Sequence, residues 1–196
     1  MKYKIIPTII LITTILIQCN KEIVRVNNLK QINSEMSTGI INCDLTCVSL
    51  GLQIEYLEDK DNKLIIEDII SNNHFLKSTQ KVPYWDNTVL SLWIKISLKN
   101  ECDKFNKYYL EVANPTLERI DLFIPERDRD RAFILKRAGT MYPFQFRDIK
   151  HNNFIFSLSI PTGIMTTYYM RIETKGNIVL PIVLWNIDKF NTTNGL

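Results

Sequence analysis

The sequence predicts an all-β fold, an antiparallel β-sandwich or jelly roll, on three observations. Apolar residues recur with a period of two in five successive runs between Leu90 and Glu173, no amphipathic helical period interrupts them, and turns built on Pro, Gly and Asn separate them. A length of 196 residues suits one domain with its own core, and 45% hydrophobic with 23% charged residues is the balance of an ordinary globular chain.

At the N-terminus, MKYKIIPTIILITTILIQCNKE sets two lysines before an apolar stretch from Ile5 to Ile17, followed by Cys19. Thirteen apolar residues are short of the roughly 20 that a membrane span requires but suit the core of a secretory signal. A signal peptide over residues 1–18 is therefore expected. LIQC resembles the end of a bacterial lipoprotein signal, which makes Cys19 the expected lipidation site; cleavage nearby without lipid is the alternative. Removing Lys2 and Lys4 with the signal lowers the formal charge from +3 to +1. That balance is too even for a nucleic-acid binder, which needs a basic stripe.

Residues 19–50 read as a flexible tether, rich in Asn, Ser and Lys and without a sustained apolar period. Setting Cys19 aside leaves Cys43, Cys47 and Cys102, so at most one disulfide forms among them. CDLTC holds three residues between its cysteines, unlike a redox pair or half a zinc ribbon, and the sequence leaves the pairing open. LIIEDIIS, from Leu64 to Ser71, suits either a strand or a turn of helix.

The alternation then becomes plain. Leu90, Leu92, Ile94, Ile96 and Leu98 point to one face, with Ser91, Trp93, Lys95, Ser97 and Lys99 on the other. YYLEV, IDLFI, FIFSLSI and YYMRIET repeat the pattern, the last setting Tyr168, Met170 and Ile172 opposite Tyr169, Arg171 and Glu173. Turns are expected at ANPTLE, IPERDRDR, IPTG and TKGN. The run Val179 to Trp185 is apolar at nearly every position, as a strand covered on both faces would be, and Pro181 within it points to an edge or a bulge.

Chemistry is sparse. His74 and His151 stand alone, without a second ligand at metal spacing. EDKDNK opens like a calcium loop, but Lys63 stands where an oxygen ligand belongs. Phosphate loops, nucleophile elbows and selected carboxylate pairs are all missing, so neither an enzyme nor a cofactor is expected. The alternating charges of Glu126 to Arg131 read as a solvated hairpin tip. Trp93, on the polar face beside Lys95, is either covered or a platform for a sugar or aromatic ligand.

From Gly51 to Phe190 the motif order resembles a bacterial module. The likeness lies in LIIEDII, in Trp93-Ile94-Lys95-Ile96 ending in LKN, and in YYLEVANPTLERIDLFIP, HNNFIFSLSIPTG, YYMRIETKGNIVLPIVLW and a closing DKF. Together these resemble the second type of extracellular sensor domain found in seven-transmembrane receptors with diverse intracellular signalling modules. The resemblance implies an extracytoplasmic jelly-roll sandwich similar to carbohydrate-binding modules, sensing a small polar ligand of which saccharides are the implied class. It implies an arginine at the position of Lys95, where an ammonium replaces a bidentate fork. It also implies membrane helices after the domain, which this sequence does not carry. The expected layout is a signal (1–18), a tether (19–50), a sensor-like domain (51–190) and a tail (191–196). Strand parity and side-chain chemistry nominate Trp93, Lys95, Arg147, His151 and Asn153 as ligand contacts, with the lipid anchor and a membrane signalling protein as partners. An envelope interaction protein, or one piece of a split receptor, that binds no small molecule is the competing expectation.

Overall fold

A computed structural model describes residues 38–72, 74–86, 91–126 and 132–195. The signal segment, Cys19, Leu90 and the charged tip after Glu126 lie outside the described residues. The strands are β1 (Thr38–Ile41), β2 (Cys47–Ser49), β3 (Ile54–Asp59), β4 (Leu76–Lys77), β5 (Tyr84–Trp85), β6 (Ser91–Asn100), β7 (Lys107–Val112), β8 (Arg119–Pro125), β9 (Phe133–Ala138), β10 (Phe154–Ser159), β11 (Met165–Glu173), β12 (Ile178–Val179) and β13 (Ile182–Asn186). Two short helices, α1 (Ile66–Ile70) and α2 (Ile187–Asn194), accompany them.

The result is the expected antiparallel sandwich. The larger sheet runs β4-β3-β6-β11-β8-β9, the facing sheet β10-β7-β13-β2, and β12 and β5 form a separate two-stranded ladder. In the first sheet, β6 makes the longest ladders, pairing Ser91–Ile96 with β3 and Ser91–Lys99 with β11. Between the sheets lie Leu92, Ile94, Ile96 and Leu98 of β6, Ile120 and Leu122 of β8, and Tyr168, Met170 and Ile172 of β11. Leu110, Phe154, Phe156, Leu158, Ile182 and Leu184 meet them from the second sheet. The inward set is the one that the period of two predicts.

Two features depart from the sequence reading, and a third decides what it left open. The tether ends earlier than expected: β1 adds to β6 as a parallel strand from Thr38, and β2 pairs with β13. Short edge strands carry too few residues for a period to show, and here pairing with longer strands supplies their order. Pro181 lies between β12 and β13, on neither strand, and β13 is central in its sheet; the break between the two strands is where the missing donor falls. The local pair in CDLTC does not form: Cys43 is bonded to Cys102, 59 residues away.

That disulfide joins a loop held by one side chain. Asn100, 0% exposed at the end of β6, donates through Nδ2 to the carbonyls of Phe105 (2.7 Å) and Ile160 (2.9 Å). Its Oδ1 accepts from the Cys102 N–H (2.9 Å) and the Tyr108 hydroxyl (3.1 Å). One buried amide thereby contacts four polar groups, of which the Tyr108 hydroxyl and the Phe105 carbonyl also bond each other at 3.2 Å.

The run that ends at Trp185 is covered on both faces. Ile182 and Leu184 enter the main core, while Val183 and Trp185 join Cys47, Ile155 and Phe190 in a second cluster on the far side of the sheet. Helix α2 brings Phe190 there. Its start is fixed by Asn186, whose side chain accepts from the N–H groups of Asp188 and Lys189, and Gly195 closes it at φ 66°.

Candidate ligand-binding site

The nominated residues fall on two opposite faces of the sandwich. Trp93 and Lys95 lie on the outward face of the first sheet, whereas Arg147, His151 and Asn153 lie over the outward face of the second. They do not form one site.

Arg147 and His151, both half-buried, and Asn153, buried, belong to one polar layer. Glu111, buried on β7, accepts from the Asn153 amide (2.6 Å) and the Trp185 indole (2.7 Å). His151 Nδ1 accepts from the Asn153 N–H, and the His151 ring packs edge-on against Phe190. The Arg147 guanidinium sits 4.7 Å from both the Phe144 and Phe154 ring centres and donates to the backbone carbonyls of His151 and Asn152. These contacts tie the crossover before β10 to its sheet.

On the first sheet the outward face carries its own aromatic layer. Trp93 is 1% exposed, tilted 5.5 Å from Phe123, with the Arg171 guanidinium over its ring at 5.8 Å. Arg171 is fixed in turn by Glu173 (2.6 Å) and Asn62 (2.7 Å). Trp93 is therefore covered, and it presents no open ring face for a sugar. Contacts continue from Phe123 to Phe133, from Phe133 to Tyr169, and from Tyr169 to Phe75. Lys95 faces the same side, bonded to Glu55 at 2.8 Å and 5.6 Å from the Phe75 ring centre.

The aromatic row ends in an opening. A cleft of about 660 Å3, in the size range of small-ligand sites, is lined by Ile70 and Ser71 at the end of α1, by Ile124 to Glu126, by Ala132 and Phe133, by Ser159 and Pro161, and by Ile164 to Tyr169. Its position follows from the ladder. β8 pairs with β11 from Tyr169–Phe123 to Glu173–Arg119 and stops there, although β11 continues beside β6 as far as Met165. Two more residues in the same register would set Thr167 opposite Pro125, which has no N–H to give. The β8–β9 hairpin and β11 part at that point. Sequence reasoning passed over Tyr169 and Phe133, although strand parity already placed Tyr169 on the face of Lys95.

Burial raises the Tyr169 phenol above its ordinary value of 10.0; Glu55 adds to the shift and Lys95 opposes it. Burial raises Tyr108 as well. A phenol whose folded pKa is raised contributes stability that is complete below the unfolded value and is lost as pH climbs past it. The urea midpoint should therefore fall between pH 9 and pH 11, and Tyr169→Phe should fall less over that interval. An equal fall in the variant would show that Tyr169 does not contribute.

Fold and cleft together define a β-sandwich domain with a lateral opening in one sheet. Residues 51–186 match the family described as 7TMR-DISM extracellular 2, and the chain belongs to that family, a sensor domain of membrane signalling receptors. A comparison with curated proteins finds no match. Among the described residues no helix is long and apolar enough to cross a membrane.

Proposed function

We infer that this chain is an exported, lipid-anchored, non-enzymatic sensor domain that binds a small polar ligand in the cleft and communicates with a membrane signalling protein. The observation that carries this reading is the opening between β11 and the β8–β9 hairpin, floored by Tyr169 and Phe133 and adjoining the Lys95–Glu55 pair. Family membership supplies the sensing role. A saccharide, the class that the sequence resemblance implies, would stack on Tyr169 and meet the hydroxyls of Ser71 and Thr167. Lys95 enters as the charged neighbour of Tyr169, with Trp93 at the other end of the same aromatic row. Arg147, His151 and Asn153 act in this reading as a brace for the second sheet.

The test is a thermal-shift and calorimetric screen of the purified chain against saccharides, amino acids and short peptides, repeated on Tyr169→Ala and Thr167→Val. A ligand whose binding is lost in both variants supports the cleft. A ligand that binds both as tightly as the parent places the site elsewhere. The anchor has its own test: palmitate label should vanish in Cys19→Ala, and label that persists there rejects lipidation at this residue.

Docking on another envelope protein without a small ligand is the second reading, favoured by Met141, Phe144 and Phe146, which are 60%, 51% and 63% exposed within one crossover. Alanine at Phe144 and Phe146 would then abolish capture by the receptor partner and leave any cleft ligand bound.

A further inference from the structure

The geometry points to an extended peptide as the ligand of the cleft, held by strand addition to β11 and carrying a basic group next to Glu126. The inference rests on the cleft being the ligand site and goes beyond that reading by assigning the ligand class.

The first ground is the way the cleft meets β11. Side chains of a strand alternate between faces, so a groove on one face touches every second residue. Here Thr166, Thr167, Tyr168 and Tyr169 all line the cleft in succession, as do Ile124, Pro125 and Glu126 on the facing strand. An unbroken run of lining residues means that the cleft opens on the edges of the two strands. The edge of β11 over Met165–Thr167 has β6 on one side and no β8 partner on the other among the described residues. Ladder N–H and C=O groups on such an edge are a template for an added strand.

The second ground is chemical. Side chains around that edge mix apolar groups, Ile70, Ile124, Ala132, Phe133, Ile164 and Met165, with the hydroxyls of Ser71, Ser159, Thr166 and Thr167, a mixture that suits the alternating side chains and backbone of an extended chain. Glu126 is the one charged side chain in the lining, and no ion pair to it is formed among the described residues. A carboxylate at the mouth of an apolar cleft complements a Lys or Arg side chain or an N-terminal amine.

The experiment is selection of a random heptapeptide phage library on the full purified chain, followed by calorimetry with synthetic copies of the enriched sequences. Enriched peptides should carry Lys, Arg or a free amine. N-methylation at alternate backbone positions should weaken binding by about tenfold or more while the intervening positions tolerate it, as a ladder requires. Bound peptide should slow amide exchange at Met165–Thr167, and Glu126→Gln should weaken cationic peptides selectively. Binding indifferent to N-methylation, or selection that yields nothing while a saccharide binds and depends on Tyr169, overturns the peptide assignment and leaves the cleft reading standing. Selection that yields nothing, together with a saccharide and amino-acid screen that also finds no binder, overturns both.

Discussion

Replacing Trp93 by alanine is expected to destabilise the domain by about 3–5 kcal/mol, the range for removing a large aromatic side chain from a packed interior. The indole fills the space between Leu57 and Arg171 on the neighbouring strands and lies against Phe123, so its loss strands three partners at once. Its Nε1 has no acceptor among the described residues. Trp93→Phe removes that orphan donor and keeps a ring, and should cost less than half as much. Urea denaturation of both variants checks the pair. A Trp93→Ala variant within about 1 kcal/mol of the parent would mean that the ring is not a packing element, and a platform role would return.

An effect of similar size is expected at Asn100. Asn100→Ala deletes four hydrogen bonds and leaves the Cys102 N–H and the Ile160 carbonyl without these partners in a dry setting, a loss on the order of 3–5 kcal/mol. Asn100→Asp is the sharper probe. It keeps the acceptor for Cys102 and Tyr108 but turns an anionic oxygen toward the carbonyls of Phe105 and Ile160. That contact raises the pKa of the new carboxyl in the folded state, so the variant is relatively more stable when protonated and loses ground as pH rises. Its deficit against the parent should be smaller at pH 4 than at pH 7. A deficit that does not change between those values would show that the amide donors contribute little.

Much of this architecture was legible in the sequence because β6, β7, β8, β10 and β11 are long enough for a period of two to declare itself. Their inward residues are the core. Periodicity assigns a side chain to a face but does not say whether that face meets water. The cover over Trp93 comes from Phe123 on β8 and Arg171 on β11, both distant in sequence, and it makes that face a second packed surface. FILKRA gave no warning of β9, since an edge strand half open to solvent has little reason to alternate. The disulfide was not legible either, for the spacing of three cysteines does not reveal which two strand ends lie together. Asn153 and His151 were singled out for their polar chemistry, which proved to be engaged by Glu111 and the backbone. The cleft left one trace, the proline at the end of IDLFIP, and only the ladder across from it gives that proline a consequence.

The Cys43–Cys102 bond also sets how the domain would bear a pull from its N-terminal side. Tension reaching Thr38 would load β1 in shear against β6, and β1 offers only four paired residues to resist. Once those yield, extension halts at Cys43, because the next 59 residues are closed into a covalent loop. The load then passes into the end of β6, the longest strand of the larger sheet. A domain held from that side can give up one short strand under stress and keep its cleft in shape.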